Sequence, residues 1–139
     1  MDVVEIAINI HCALVAIPFV GFNVCKSFIA FKPNGSTTSH SSLKRVIALP
    51  GETIQIKDGM IYINGELYLE QKDYPVITNP GLASEELKLE DKEYFVLGDN
   101  RNNSVDSRFA DVGMVKSSDI EGKVWFVLSP SEHRGFLNG

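Results

Sequence analysis

Alternating apolar and polar residues in the middle of the chain predict a β-meander. Three runs of period two, Thr53–Lys57, Met60–Ile63 and residues 66–69, are separated by Asp58-Gly59 and Asn64-Gly65. Side chains along a strand point alternately to its two faces, and Asp-Gly and Asn-Gly are favoured in two-residue hairpin turns. The pattern therefore predicts three antiparallel strands joined by tight turns.

Apolar runs on both sides of this meander predict further strands. Residues 27–32, 43–49, 94–97 and 123–128 are short and rich in β-branched and aromatic side chains, which favour strands. The charged segment 70–92 between them is predicted to be a loop with at most a short strand or helical turn. Together these elements predict an all-β fold, a small and mostly antiparallel β-barrel or sandwich with long polar loops.

The N-terminal part differs from the rest of the chain. Residues 6–25 contain no Asp, Glu, Lys or Arg, and such a run is long enough for a membrane-spanning helix. Polar residues and a proline interrupt it, and acidic residues precede it where a membrane anchor usually carries Lys or Arg. Two interpretations stay open, a membrane anchor and a buried element of the domain. We therefore expect an apolar segment over 1–25 and a β domain over 26–139.

Composition excludes several classes of function. The chain has 139 residues, a length that suits one domain, and its 13 Lys and Arg against 18 Asp and Glu give a net charge of -5. Because the basic residues are few and scattered, no nucleic acid partner is expected. Cys12 and Cys25 are too few for a disulfide framework or a four-cysteine zinc site, so no metal site is predicted.

The polar segment 98–108 is the first candidate for a functional loop. It follows the apolar run 94–97 directly and carries two Asp and two Arg. A plain turn needs only a few residues, whereas a longer loop with its own charge pairs is typical of one that holds side chains in place. The alternative is a solvated connection.

Lys44 is the second candidate, because it lies in a run otherwise suited to burial. Lysine is rarely buried unless it is paired or used. Burial favours the neutral form of a lysine amine, and a neutral amine can accept the proton of a serine hydroxyl. The alternative is that strand alternation directs Lys44 outward into solvent.

Both candidates lie in segments that resemble one family. Residues 44–52, followed by Asp58-Gly59 and Asn64-Gly65, are similar to the lysine box of bacterial type I signal peptidases. Residues 98–108 resemble the closing signature of the same family, and the similarity runs from about residue 28 to residue 126. The resemblance implies the signal peptidase I fold, a LexA-like β domain.

The resemblance also implies roles for individual residues. Lys44 matches the general base, and Ser104 matches the serine whose hydroxyl orients the lysine amine. The strand ending at Ser42 and Leu43 matches the edge that binds an extended substrate by β-augmentation. A salt-bridged pair and two further structural residues would brace the loop: Asp106 with Arg108, and Asp99 with Arg101. The implied chemistry uses no metal and no organic cofactor.

The sequence departs from the family at the nucleophile. The family's serine lies in a Ser-Met-x-Pro context before the lysine, but no Ser-Met occurs in this chain and its first serine is Ser27. Three explanations are open. The chain is N-terminally incomplete or altered, which we favour; or it is a noncatalytic relative that binds exported or pilin-like peptides; or its nucleophile lies elsewhere.

The resulting functional hypothesis is a membrane-associated serine endopeptidase that removes signal peptides from exported proteins. Its partners would be the signal peptides of preproteins and the bacterial cytoplasmic membrane, with the β domain on the outer face. The first alternative is the noncatalytic binding module just described. The second is a self-cleaving repressor-type Ser/Lys domain, against which the paired motifs argue.

Overall fold

The computed structural model describes residues 27–37, 40–70, 72–124, 126–127 and 135–136. The N-terminal segment 1–25, with Cys12 and Cys25, lies outside the described residues, so the hypotheses about it stay predictions. No helix in the described ranges is long and apolar enough to cross a membrane.

Short antiparallel strands make up most of the described structure. They are β1 Phe28–Phe31, β2 Ser42–Ala48, β3 Thr53–Lys57, β4 Met60–Ile63, β5 Glu66–Leu67, β6 Leu87–Lys88, β7 Glu93–Leu97, β8 Val115–Lys116, β9 Ile120–Val124, β10 Phe126–Val127 and β11 Gly135–Phe136. Single turns of 3-10 helix lie at Pro33–Gly35, Gly81–Ser84 and Ser117–Asp119. The strand orders are β8-β7-β2-β1-β9, β5-β4-β3-β6 and β10-β11. The predicted all-β fold class is confirmed.

The predicted meander forms most of the four-stranded sheet. Strand β3 pairs with β4, and β4 pairs with β5. The residues of both turns have left-handed backbone conformations. Their φ values are 52° and 77° at Asp58 and Gly59, and 52° and 79° at Asn64 and Gly65. These values are those of the hairpin turns that match strand twist. The prediction is confirmed, although β5 is shorter than the apolar pattern indicated, and β6 completes the sheet by pairing with β3.

Strand β2 lies at the centre of the five-stranded sheet. It pairs with β1 along residues 42–45 and with β7 from Arg45 onward, so its first residues extend past the end of β7. The predicted strand over 123–128 is divided, because Ile120–Val124 pairs with β1 whereas Phe126–Val127 pairs with β11. Pairing partners, and not the apolar run, therefore set these strand ends.

Two apolar clusters cover the two faces of this sheet. Ile47 and Phe95 belong to the cluster shared with the four-stranded sheet. Val46 and Val96 belong to the cluster on the other face, with Ile29. All five side chains are at most 1% exposed, and each such burial is worth about 1.5–3 kcal/mol. The described sheets form a sandwich and do not close into a barrel, and the central strand β2 contributes side chains to both clusters.

Two connections leave the sheets near one another. Residues 98–108 follow β7 and are called the site loop below. Glu70 and residues 72–83, which lead from β5 to the 3-10 turn at Gly81–Ser84, are called the strap. The strap falls within the segment predicted to be a loop, and that prediction is confirmed.

Candidate active site

The fold brings the two principal candidate residues into direct contact. Lys44 Nζ donates a hydrogen bond of 2.9 Å to Ser104 Oγ, although the two residues are 60 positions apart. Lys44 comes from β2, the rigid centre of the sheet, and Ser104 comes from the site loop. Lys44 is half-buried, so it is neither enclosed in the core nor fully solvated.

Gly98 allows this contact because it lacks a side chain. A Cβ atom at this position would lie 1.9 Å from Ser104 Oγ and 2.4 Å from Ser104 Cβ. It would also lie 3.5 Å from Lys44 Nζ. The backbone of Gly98 therefore forms one wall of the Lys44 and Ser104 contact.

Asp106 and Arg108 lie in contact at the base of the site loop. Arg108 Nε and Nη2 donate to the two carboxylate oxygens of Asp106 at 2.8 and 2.9 Å. Asp106 also accepts from the backbone N–H of Gly98 at 3.0 Å, and Arg108 donates to the carbonyl of Arg101 at 2.5 Å. Both charged side chains are buried, and buried ions require such additional partners. The pair thus ties together the two ends of the loop.

Asp99 and Arg101 form ion pairs that leave the site loop. Asp99 accepts two hydrogen bonds from Arg45 of β2, at 2.9 and 3.0 Å. Arg101 donates two to Glu70 of the strap, at 2.6 and 2.5 Å. The sequence had given no sign of Arg45 or Glu70 as site residues. The members of each pair lie far apart in the sequence, so only folding brings them together.

The strap runs along the outer side of the site loop. Asn102 Oδ1 accepts from the N–H and the hydroxyl of Thr78, both at 3.0 Å, and its amide donates to the carbonyl of Val76. Arg108 donates to the carbonyl of Asn79 at 3.1 Å. These contacts fasten the site loop to the strap.

An open cleft gives access to the Lys44 and Ser104 contact. Its volume is about 710 Å³, and Ser42 and Leu43 line it beside Lys44. The strand does not end at Ser42 and Leu43, as the family resemblance implies, but begins there, as the apolar run 43–49 predicts to within one residue. One edge of these residues pairs with β1, while within the described part of the chain no strand pairs with the other. The backbone pairing with β1 reaches this start of the strand.

The described residues contain no group of three or more His, Cys, Asp or Glu side chains that could hold a metal ion. The charged side chains of the site loop instead pair with one another or with β2 and the strap. Fold and site together define a small antiparallel β domain that holds a lysine amine against a serine hydroxyl in an open cleft.

Comparison with known proteins places this domain in a family. Residues 24–129 match the family described as "Signal peptidase, peptidase S26". The chain is 37% identical over 108 residues to signal peptidase I T of Bacillus subtilis strain 168, covering 70% of this chain and 53% of that protein. It is 39% identical over 99 residues to signal peptidase I of Bacillus amyloliquefaciens, covering 63% and 51%.

A solved structure shows the same relationship. The crystal structure of a signal peptidase I from Enterococcus faecalis V583 aligns with a TM-score of 0.56 and 34% sequence identity, covering 71% of this chain and 93% of that chain. The chain therefore belongs to the signal peptidase family, and the resemblance seen in its motifs is confirmed. It spans about half the length of the curated relatives that it matches.

The ion pair between Asp99 and Arg45 gives the site a dependence on pH. Burial alone raises the pKa of Asp99, but the hydrogen bonds and charge of Arg45, with the charges of Arg101 and Lys72, outweigh it and hold this pKa below its ordinary value. Because the pKa of Asp99 is lower in the folded state, the ion pair stabilises the fold at pH values above the unfolded-state pKa of about 3.9. This contribution is lost as the pH falls through the folded-state pKa.

We expect Asp99→Asn to lower the free energy of unfolding near neutral pH and to have a smaller effect in acid, at a pH below the lowered pKa of the native carboxylate, where that group is protonated. The carboxylate is 37% exposed, so solvent screening keeps the effect modest. Urea unfolding at both pH values measures it. Asp91→Asn, an exposed control, should change little at either pH. An equal loss at both pH values for Asp99→Asn would contradict the electrostatic explanation.

Proposed function

We propose that this protein is a serine endopeptidase that removes signal peptides from exported proteins. The observation that carries the proposal is the hydrogen bond between Lys44 Nζ and Ser104 Oγ in an open cleft, within a chain of the signal peptidase family. Lys44 is the general base, and Ser104 is the residue that positions its amine. The braces of the site loop keep Ser104 in place.

Hydrolysis requires a serine hydroxyl that attacks the scissile carbonyl. A neutral Lys44 amine takes the hydroxyl proton as the oxygen bonds to the carbonyl carbon, and the resulting ammonium returns a proton to the leaving amine. Water then releases the acyl group from the serine. Lysine has a long flexible stem, so a hydrogen bond that fixes its amine supports the transfer geometry.

The proposal assigns the base and its positioning residue but no nucleophile. The sequence contains no Ser-Met-x-Pro segment. Because Ser104 already contacts Lys44 Nζ, the attacking hydroxyl has to reach the amine from the open side of the cleft. A serine-reactive acylating probe, followed by peptide mapping, identifies that residue.

The substrate is an extended peptide that adds to the edge of β2. The N–H and C=O groups at Ser42 and Leu43 supply strand-like hydrogen bonds, and alternate side chains of the peptide enter the cleft. Signal peptides are cut after an Ala-x-Ala sequence, so the bound peptide would present small side chains next to Lys44.

We expect the purified full chain to cleave a preprotein that carries an Ala-x-Ala site and Lys44→Ala to reduce the cleavage rate by about 10²-fold or more. Gel analysis with mass spectrometry of the products measures both. Lys57→Ala is the matched control, because Lys57 is an exposed lysine on β3 outside the cleft. If neither wild type nor Lys44→Ala cleaves while the peptide still binds, the enzyme proposal fails and the noncatalytic binding module replaces it.

In the same assay, Ser104→Ala should lower kcat by about tenfold to hundredfold, because the amine of Lys44 loses the hydroxyl that orients it. Ser118→Ala is the control, since this serine is exposed and lies outside the cleft. Unchanged turnover in Ser104→Ala would remove Ser104 from the mechanism.

The proposed place of action is the outer face of the bacterial cytoplasmic membrane, where signal peptides emerge. The uncharged run of residues 6–25 supports an attachment to that membrane. We expect the full chain to sediment with membranes after cell disruption and to be released by detergent but not by high salt. Recovery in the supernatant without detergent would contradict membrane attachment.

A further inference from the structure

Glu70 of the strap is a largely buried acidic side chain that the proposed mechanism does not use. Its side chain is 13% exposed, and both of its carboxylate oxygens accept from the guanidinium of Arg101. Arg101 is 1% exposed, so this ion pair is almost fully withdrawn from water. A bidentate pair in such surroundings fixes the orientation of the guanidinium plane.

Arg101 connects that pair to the backbone of the site loop. Its Nε donates to the carbonyl of Gly98 at 3.0 Å, and its own carbonyl accepts from Arg108 at 2.5 Å. The ring of Tyr74 lies beneath the guanidinium, with the Arg101 Cζ atom 3.9 Å from the ring centroid. Glu70 and Tyr74, both from the strap, therefore hold Arg101 in an orientation that reaches the carbonyl of Gly98.

Gly98 carries this constraint to the candidate catalytic residues. It touches Ser104 so closely that a Cβ atom would overlap the serine hydroxyl, and Ser104 Oγ holds Lys44 Nζ. The path from Glu70 to Lys44 thus contains only direct contacts: carboxylate to guanidinium, guanidinium to carbonyl, backbone to hydroxyl, and hydroxyl to amine.

We infer that Glu70 is a positioning residue for the Lys44 and Ser104 pair, acting through Arg101 and the carbonyl of Gly98. This inference rests on the proposed function and adds the strap to the machinery of the same site. The competing explanation is that Glu70 only stabilises the fold by neutralising a buried guanidinium.

The test replaces the carboxylate with an amide of the same shape. We expect Glu70→Gln to lower kcat, counted per folded protein by circular dichroism, by about tenfold to hundredfold, because small displacements of catalytic groups cost rates of this order. KM should stay close to the wild-type value, since the peptide edge of β2 is untouched. Glu66→Gln, an exposed glutamate on the adjacent β5, is the matched control and should change neither constant.

A double-mutant cycle with Arg101→Gln separates positioning from stability. If Glu70 acts through Arg101, the double variant should lose little more kcat than Arg101→Gln alone. Unchanged kcat in Glu70→Gln with a lowered melting temperature would overturn the inference and leave a purely structural ion pair. Additive losses in the cycle would overturn it as well. Glu70→Asp, which keeps the charge with a shorter reach, provides a folded variant if the amide destabilises the chain.

An NMR measurement keeps the inference separate from the proposed function. The amide signals of Gly98 and Ser104 in the full chain should shift in Glu70→Gln and stay in place in Glu66→Gln. This result is expected even if the wild-type chain cleaves no peptide, an outcome that would contradict the proposed function alone. Signals that change only at Arg101 and Tyr74 would overturn the positioning role.

Discussion

The carboxylate of Asp106 accepts hydrogen bonds from the guanidinium of Arg108 and from the backbone N–H of Gly98. These three groups lie together in the buried base of the site loop. Removing one member of a buried ion pair leaves an uncompensated charge and costs about 3–5 kcal/mol. The loop therefore has one strongly favoured closure. That closure brings Gly98 against Ser104, and so the position of the Ser104 hydroxyl depends on it.

Strand β2 supplies the other half of the site, and its rigidity has a different origin. Val46 and Ile47 are buried on opposite faces of the central strand, so dispersion and apolar burial fix the backbone beside Lys44 from both sides. The first residues of the same strand extend beyond β7 into the cleft. One strand thus combines a buried anchor, the amine of Lys44 and an edge that no strand covers in the described part of the chain.

Two further ion pairs join the loop to its surroundings. Arg45 with Asp99 ties it to β2, and Arg101 with Glu70 ties it to the strap. The first is partly solvated and its carboxylate has a lowered pKa, whereas the second is almost fully buried. Of the four charged residues in the site loop, two therefore close the loop on itself and two fasten it to neighbouring segments.

The sequence alone determined the features that depend on neighbouring residues. Alternation and the Asp58-Gly59 and Asn64-Gly65 turns specify the meander, because strand facing and turn conformation are local properties. The two motifs specified Lys44 and the polar loop as the candidate site and identified the family.

Only the tertiary structure decided how these parts meet. Lys44 and Ser104 are 60 positions apart, Arg45 and Asp99 are 54 apart, and Glu70 and Arg101 are 31 apart. No local preference encodes such pairs, since each depends on the path of the whole chain. The division of the last predicted strand follows from the same cause, because hydrogen-bonding partners from distant strands set where a strand begins and ends.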